Sequence, residues 1–202
     1  MDGFFNLRAE KQEHIINAAL TVFGRNSYKK ASIADIAAEA GIAKGMVMYY
    51  FGSKKNLYLF LAERCKKVMT DEIEKGYSES VTEFFDNIKM VTDIKIAIMK
   101  NHPALLSFLT NLYFETDEEV LEDTKGFISD GMDMREKLVY HDVDISKFKD
   151  DIDPKLIDKL LVWAAEGFIS SMQKEINIGE IEKFTKDLYA CLDIMKEHFY
   201  KS

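Results

Sequence analysis

At 202 residues, with 47% hydrophobic and 31% charged positions, the chain has room for one large domain or two small ones around a substantial core. It contains two prolines, Pro103 and Pro154, and its long runs lack both β-branched clusters and hairpin dipeptides, which makes helix the expectation throughout. The net charge of -8 argues against a nucleic-acid partner only until its distribution is read: residues 1–55 hold eight basic and five acidic residues, net +3, leaving -11 for the remainder.

The first expected helix runs roughly from Arg8 to Gly24, with Ile15, Ile16, Ala19, Leu20 and Phe23 on one face. A loop over Asn26–Lys30 follows. Ser32 opens the second helix as its cap, and Asp35 three residues on completes a capping-box-like pair. Ile33, Ile36, Ala37 and Ala40 form its inward stripe. Gly41 stands where a sharp turn between helices needs positive φ. The third helix covers about Ala43 to Tyr50: at 100° per residue Ala43, Val47, Tyr50 and Phe51 cluster inward, while Gly45, Met48 and Tyr49 point away, flanked by Lys44 and Met46. Gly52 breaks the chain, and Ser53 caps a fourth helix over about Lys54 to Lys75.

Longer amphipathic helices follow. One spans about Val81 to Lys100; the next starts at Pro103, after the potential cap His102. Another covers about Asp117 to Tyr140, with Thr116 as its expected cap. An acidic, solvated loop, HDVDISKFKDDID, occupies His141 to Asp153. Pro154 opens the eighth helix, to about Ile176; Asn177-Ile178-Gly179 separates it from the last, about Glu180 to Tyr200. The expected fold is thus all-α, about nine helices. Residues 1–53 form a three-helix helix-turn-helix domain, and residues 54–202 a larger helical domain entered by the bridging fourth helix.

A major groove admits one helix, which must be held by a helix packed across it, joined by a tight turn, and surrounded by phosphate-binding donors. Ile36, Ala37, Ile42 and Val47 meet the first requirement and Gly41 the second. Ser32, Lys44, Tyr49 and Lys54 supply the donors, with Lys54 at a helix start whose free N–H groups favour anions.

The segment IADIAAEAGIAKGMVMYYFGSKKNLYLFL, preceded by HIINAALTVFGRNSYKKAS, resembles the DNA-binding domain of the TetR family of one-component transcriptional regulators. The resemblance covers residues 8–65. It implies a homodimer, each subunit placing its third helix in a major groove of a palindromic operator, with a C-terminal domain that binds a small ligand and forms the dimer interface. Repression, relieved by ligand, is the usual outcome. Carried over by position, Ser32, Tyr49 and Lys54 contact backbone phosphates and Lys44, Gly45 and Met46 lie closest to the bases; Tyr50 is counted with this DNA-binding set. Ala43 stands where the family usually has a capping serine or threonine, worth ~1 kcal/mol. Met46 replaces a usual threonine, Met48 a usual tyrosine, and Ala34 an often polar residue. Readout by hydrogen bonds is therefore thin, and Met46 and Ala34 are expected to favour thymine methyls.

Aromatic and methionine side chains crowd the C-terminal part and suit an apolar ligand cavity. Its expected residues are His102, Phe108, Asn111, Tyr113, Phe127 and Trp163, and the ligand is a small, largely apolar molecule. The last two helices are apolar over a wide arc. Leu156, Leu160, Trp163 and Gly167 lie along one side of the eighth, and Ile157, Leu161, Ala164, Phe168 and Met172 broaden the stripe. The expected dimer interface takes Ile157, Leu161, Ala164 and Phe168 together with Leu188, Leu192 and Met195 of the last helix.

No phosphate-cradling glycine loop, zinc spacing or HExxH is present, and the four histidines are scattered, so neither enzyme, metal site nor cofactor is expected. Cys65 and Cys191 sit in apolar helical patterns and read as buried free thiols. No apolar run approaches the ~18 residues of a membrane span. Without a basic-then-apolar leader the expected location is cytoplasmic. The alternative reading is a helical small-molecule-binding protein whose helix-turn-helix no longer reads DNA.

Overall fold

The computed structural model describes residues 1–171 and 178–201. Its helices are α1 (Asp2–Phe5), α2 (Ala9–Arg25), α3 (Ile33–Glu39), α4 (Lys44–Phe51), α5 (Lys54–Gly76), α6 (Phe84–Asn101), α7 (Pro103–Tyr113), α8 (Leu121–Val139), α9 (Pro154–Ser171) and α10 (Ile178–Phe199), with a 3-10 turn at Ile145–Lys147. The all-α expectation holds. The short α1 is additional to the nine helices expected. α8 begins at Leu121 rather than beside Thr116, and Ile178 and Gly179 lie inside α10 rather than before it. The expected stripe residue Met172 and helix end at Ile176 lie outside the described residues. Among those described, no helix is long and apolar enough to cross a membrane.

The chain divides into two compact units: residues 1–72 with 98–132, and residues 73–97 with 133–202. The helices α5, α6 and α8 each contribute residues to both.

The first unit is built on α2, whose Ile15, Ala19, Leu20 and Phe23 are buried. Phe23 meets a buried aromatic cluster: its ring centroid lies 5.0 Å from Tyr58 and 6.2 Å from Phe108, and 6.3 Å from Tyr28 in a parallel stack. Rings removed from water to this degree contribute about 2–3 kcal/mol each before entropy is charged against them. The carbonyls ending α2 have no intrahelical partner, and Asn111 of α7 answers them. Its Nδ2 donates to the carbonyls of Phe23 (2.9 Å), Gly24 (2.8 Å) and Asn26 (3.3 Å).

The second unit encloses Phe84, Phe85, Ile88, Val139, Phe148, Ile157, Leu161 and Leu192. Fully buried Asn87 repeats the same device, donating to the Val139 carbonyl at the end of α8 at 3.2 Å. A fork of two hydrogen bonds, 2.7 and 2.6 Å, joins Arg135 of α8 to Asp158 of α9. Cys65 is buried, and burial pushes its thiol up to about 12. Cys191 is exposed, contrary to expectation, because it falls on the outer side of α10 next to the core residue Leu192.

Candidate nucleic-acid interface

The turn between α3 and α4 follows from two residues. Ser32 Oγ accepts the Asp35 N–H at 3.1 Å and donates to the Asp35 carboxylate at 2.6 Å, fixing the start of α3. At its end Gly41 adopts φ 59°; its N–H bonds to the Ala38 carbonyl at 3.1 Å and that of Ile42 to Ala37 at 3.0 Å. This is the Schellman pattern, which a side chain at Gly41 would strain. α4 begins three residues after Gly41, at Lys44. Its Val47, Tyr50 and Phe51 are buried, while Met46 is 39%, Met48 41% and Tyr49 71% exposed. Lys44 and Gly45 are exposed with them. Ala43 caps α4 without a side-chain hydrogen bond, as its identity requires. A Cβ added to Gly45 would meet nothing within 4 Å, so the N-terminal half of α4 is open to a partner's close approach.

Beside this face runs a groove lined by Lys29, Lys30, Ser32, Lys44, Met48, Ser53 and Lys54. Lys29 and Lys30 are functional candidates that the sequence reading passed over as loop. Their neighbour Tyr28 is 1% exposed and anchors the loop. The Tyr28 N–H donates to Glu115 Oε2 at 2.7 Å, and its ring lies 5.1 Å from that of Tyr58. Buried Tyr28 and Ala31 thus leave the lysine pair between them exposed. The signal available in sequence was an aromatic followed by two lysines just before a helix cap.

Two of the expected DNA-binding residues have other work. Tyr50, at 4% exposure, packs inward with its ring 5.9 Å from Phe4 and 6.3 Å from Phe51, so it is removed from the exposed face. Lys54 lines the groove, yet its ammonium donates to the carbonyls of Tyr28 (2.9 Å) and Ala31 (3.3 Å) and sits 4.1 Å above the Tyr28 ring. One of its three N–H donors is left for a phosphate. Ser32 and Lys44 line the groove, and Gly45, Met46 and Tyr49 are exposed on α4.

The six expected ligand residues are divided between the two units. His102, Phe108, Asn111, Tyr113 and Phe127 belong to the first unit and Trp163 to the second. Phe108 is fully buried against Tyr58, 5.1 Å between ring centroids, and Asn111 caps α2. His102 is exposed at the start of α7 and makes no side-chain cap. Trp163 is 54% exposed on α9.

The expected dimer residues also separate. Ile157, Leu161 and Leu192 are consumed by the core of their own unit, and Leu188 and Met195 pack against it. Phe168 stacks on Phe184 at 4.1 Å, and Ala164 is exposed. The uncovered apolar stripe of α9 is the neighbouring one, Leu156 (61%), Leu160 (56%) and Trp163 (54%), continued by Gly167.

Residues 15–60 match the model of the bacterial regulatory proteins of the tetR family. Among curated proteins, the uncharacterised HTH-type transcriptional regulator YvdT of Bacillus subtilis is 32% identical over 96 residues, 48% of this chain and 49% of that one. The match thus spans about half of that relative's length. Among solved structures, a TetR family transcriptional regulator from Chloroflexus aurantiacus superposes with a TM-score of 0.71 at 20% identity, covering 100% of this chain and 99% of its own. The transcriptional regulator FadR from Bacillus subtilis, in complex with stearoyl-CoA, gives a TM-score of 0.60 at 15% identity over 88% of this chain and 96% of its own. Residues 15–60 thus carry the helix-turn-helix of the bacterial regulatory proteins of the tetR family, and along its whole length the chain shares the fold of a solved TetR family regulator.

Proposed function

We propose that this protein is a dimeric transcriptional regulator that inserts α4 of each protomer into successive major grooves of a palindromic operator and is released by a small ligand. The observation that carries this is the outer face of α4. Met46, Met48 and Tyr49 are 39–71% exposed on a helix held rigidly from behind, beside a groove lined with lysines. A helix so apolar on its wet side is accounted for by a groove floor of bases and methyl groups. Lys29, Lys30, Lys44 and Tyr49 take the phosphates, and Gly45 and Met46 approach the bases.

The dimer forms through the exposed stripe Leu156, Leu160 and Trp163 rather than the stripe beside it, because the latter is already buried. Two-fold symmetry then sets the reading heads about 34–36 Å apart. Residues 1–53 act as the reading head and the remainder as the ligand-binding and dimerisation part. The ligand is largely apolar, and the stearoyl-CoA held by FadR makes a long acyl chain the first class to test. Ligand relieves repression by favouring a second spacing of the heads by a few kcal/mol. Because α5, α6 and α8 supply residues to both compact units, they are the elements to carry that shift.

The poverty of hydrogen-bond donors on α4, where Lys44 and Tyr49 are the polar side chains of the exposed face, favours a second reading in which the head no longer discriminates sequence. Operator selection from random duplexes separates the two. A regulator enriches a palindrome and loses it on adding stearoyl-CoA or another effector; a decayed head enriches none.

A further inference from the structure

α1 rests on the reading helix. Phe4 is fully buried, its ring 4.9 Å from Phe51, 5.9 Å from Tyr50 and 5.6 Å from Phe60. The chain then turns into α2, and Gln12 Nε2 secures the link by donating to the Leu7 carbonyl at 2.8 Å. Docking Phe4 brings Gly3 against the outward face of α4. A Cβ added at Gly3 would stand 2.6 Å from Tyr49 Cε1 and 3.1 Å from Tyr49 Oη, closer than carbon atoms pack. Gly3 is not among the glycines with positive φ, so backbone freedom does not demand glycine here. What the missing side chain provides is room for the Tyr49 ring. That ring is 71% exposed and free to swing aside, so a methyl at position 3 displaces the phenol rather than the helices.

We infer that α1 is a positioning element for DNA binding, and that Gly3 sets where the Tyr49 hydroxyl stands at the phosphate backbone. This rests on the DNA-binding reading above. The sign of the stability effect separates positioning from mere structure. Alanine is the better helix former, so Gly3→Ala leaves the fold as stable or more so. A structural defect would instead lower stability and affinity together.

The test is a double-mutant cycle on a duplex recovered by selection from random-sequence DNA, with affinity read by fluorescence anisotropy at fixed salt. Wild type, Gly3→Ala, Tyr49→Ala and the double variant are compared, and the thermal midpoint of each is recorded. We expect Gly3→Ala to weaken binding about fivefold, the scale of one misplaced hydrogen bond. In the Tyr49→Ala background the same change should cost nothing, with the midpoint unchanged or raised. An equal loss in both backgrounds, no loss in wild type, or a midpoint that falls with affinity overturns the inference. Wild-type protein that recovers no duplex at all overturns the DNA-binding reading and this inference with it.

Discussion

Lys54 spends two of its ammonium hydrogens on the carbonyls of Tyr28 and Ala31, and that choice decides which lysines face phosphate. It stabilises the loop on which Lys29 and Lys30 are presented. Tyr28 works from the other side through its N–H to Glu115, whose second oxygen accepts the N–H groups of Thr116 and Asp117, both at 2.9 Å. Asn111 does for the end of α2 what Glu115 does for the loop. Asn111→Leu keeps the branched shape and removes the donor, leaving carbonyls at the end of α2 unanswered. Thermal unfolding should show a loss of about 1–3 kcal/mol; an unchanged midpoint would mean water replaces the amide. At the bases, Met46 offers no hydrogen bond, so its discrimination is apolar. Replacing thymine by uracil opposite Met46 should weaken a selected operator severalfold in a binding titration, and indifference to that methyl would refute the contact.

Along α9 the apolar arc is wide enough to serve two surfaces, and neighbouring residues are expected to behave oppositely. Leu160 is 56% exposed and Leu161 8%. Leu160→Asp should give a folded monomer by analytical ultracentrifugation, whereas Leu161→Asp should unfold the second unit by burying an unpaired charge. A folded Leu160→Asp dimer would move the interface elsewhere. The same arc explains what the sequence could and could not say. Periodicity marks Leu156, Ile157, Leu160, Leu161, Trp163 and Ala164 as apolar, but only the packing of α9 in its own core tells which half is left over. The helix-turn-helix was legible because its signals are local: a serine cap, a glycine at φ 59° and an alternation of faces over eight residues. α1 was not legible, since four residues hold no period. The diversion of Lys54 was not either, because its acceptors lie 26 and 23 residues away and depend on how the loop closes.

For the molecule as a whole, the charge in the second unit makes stability depend on pH. Lys95 of α6 is partly exposed. Desolvation, then the nearby Arg135 guanidinium, pulls its ammonium from 10.5 down to about 8, against the opposing pull of Asp158. Between those two values the unfolded chain holds the extra proton, so stability rises with pH across that window. Below it, the penalty for a charged Lys95 is fully present. Lys95→Met should therefore stabilise the fold at neutral pH and flatten the rise between pH 8 and 10.5. Denaturation of both proteins across that range checks it; parallel curves would contradict it.

The sharpest test of the whole account is the salt dependence of binding to a selected operator, measured for wild type and for the Lys29→Ala/Lys30→Ala variant. DNA recognition through the lysine groove requires log affinity to fall steeply and linearly with log salt. The slope should shrink by about 0.9 for each lysine removed. It also requires that wild type prefer the operator over a scrambled duplex at every salt concentration. A shallow slope, unchanged in the variant, or equal affinity for the scrambled duplex, would contradict the assignment of this face to DNA.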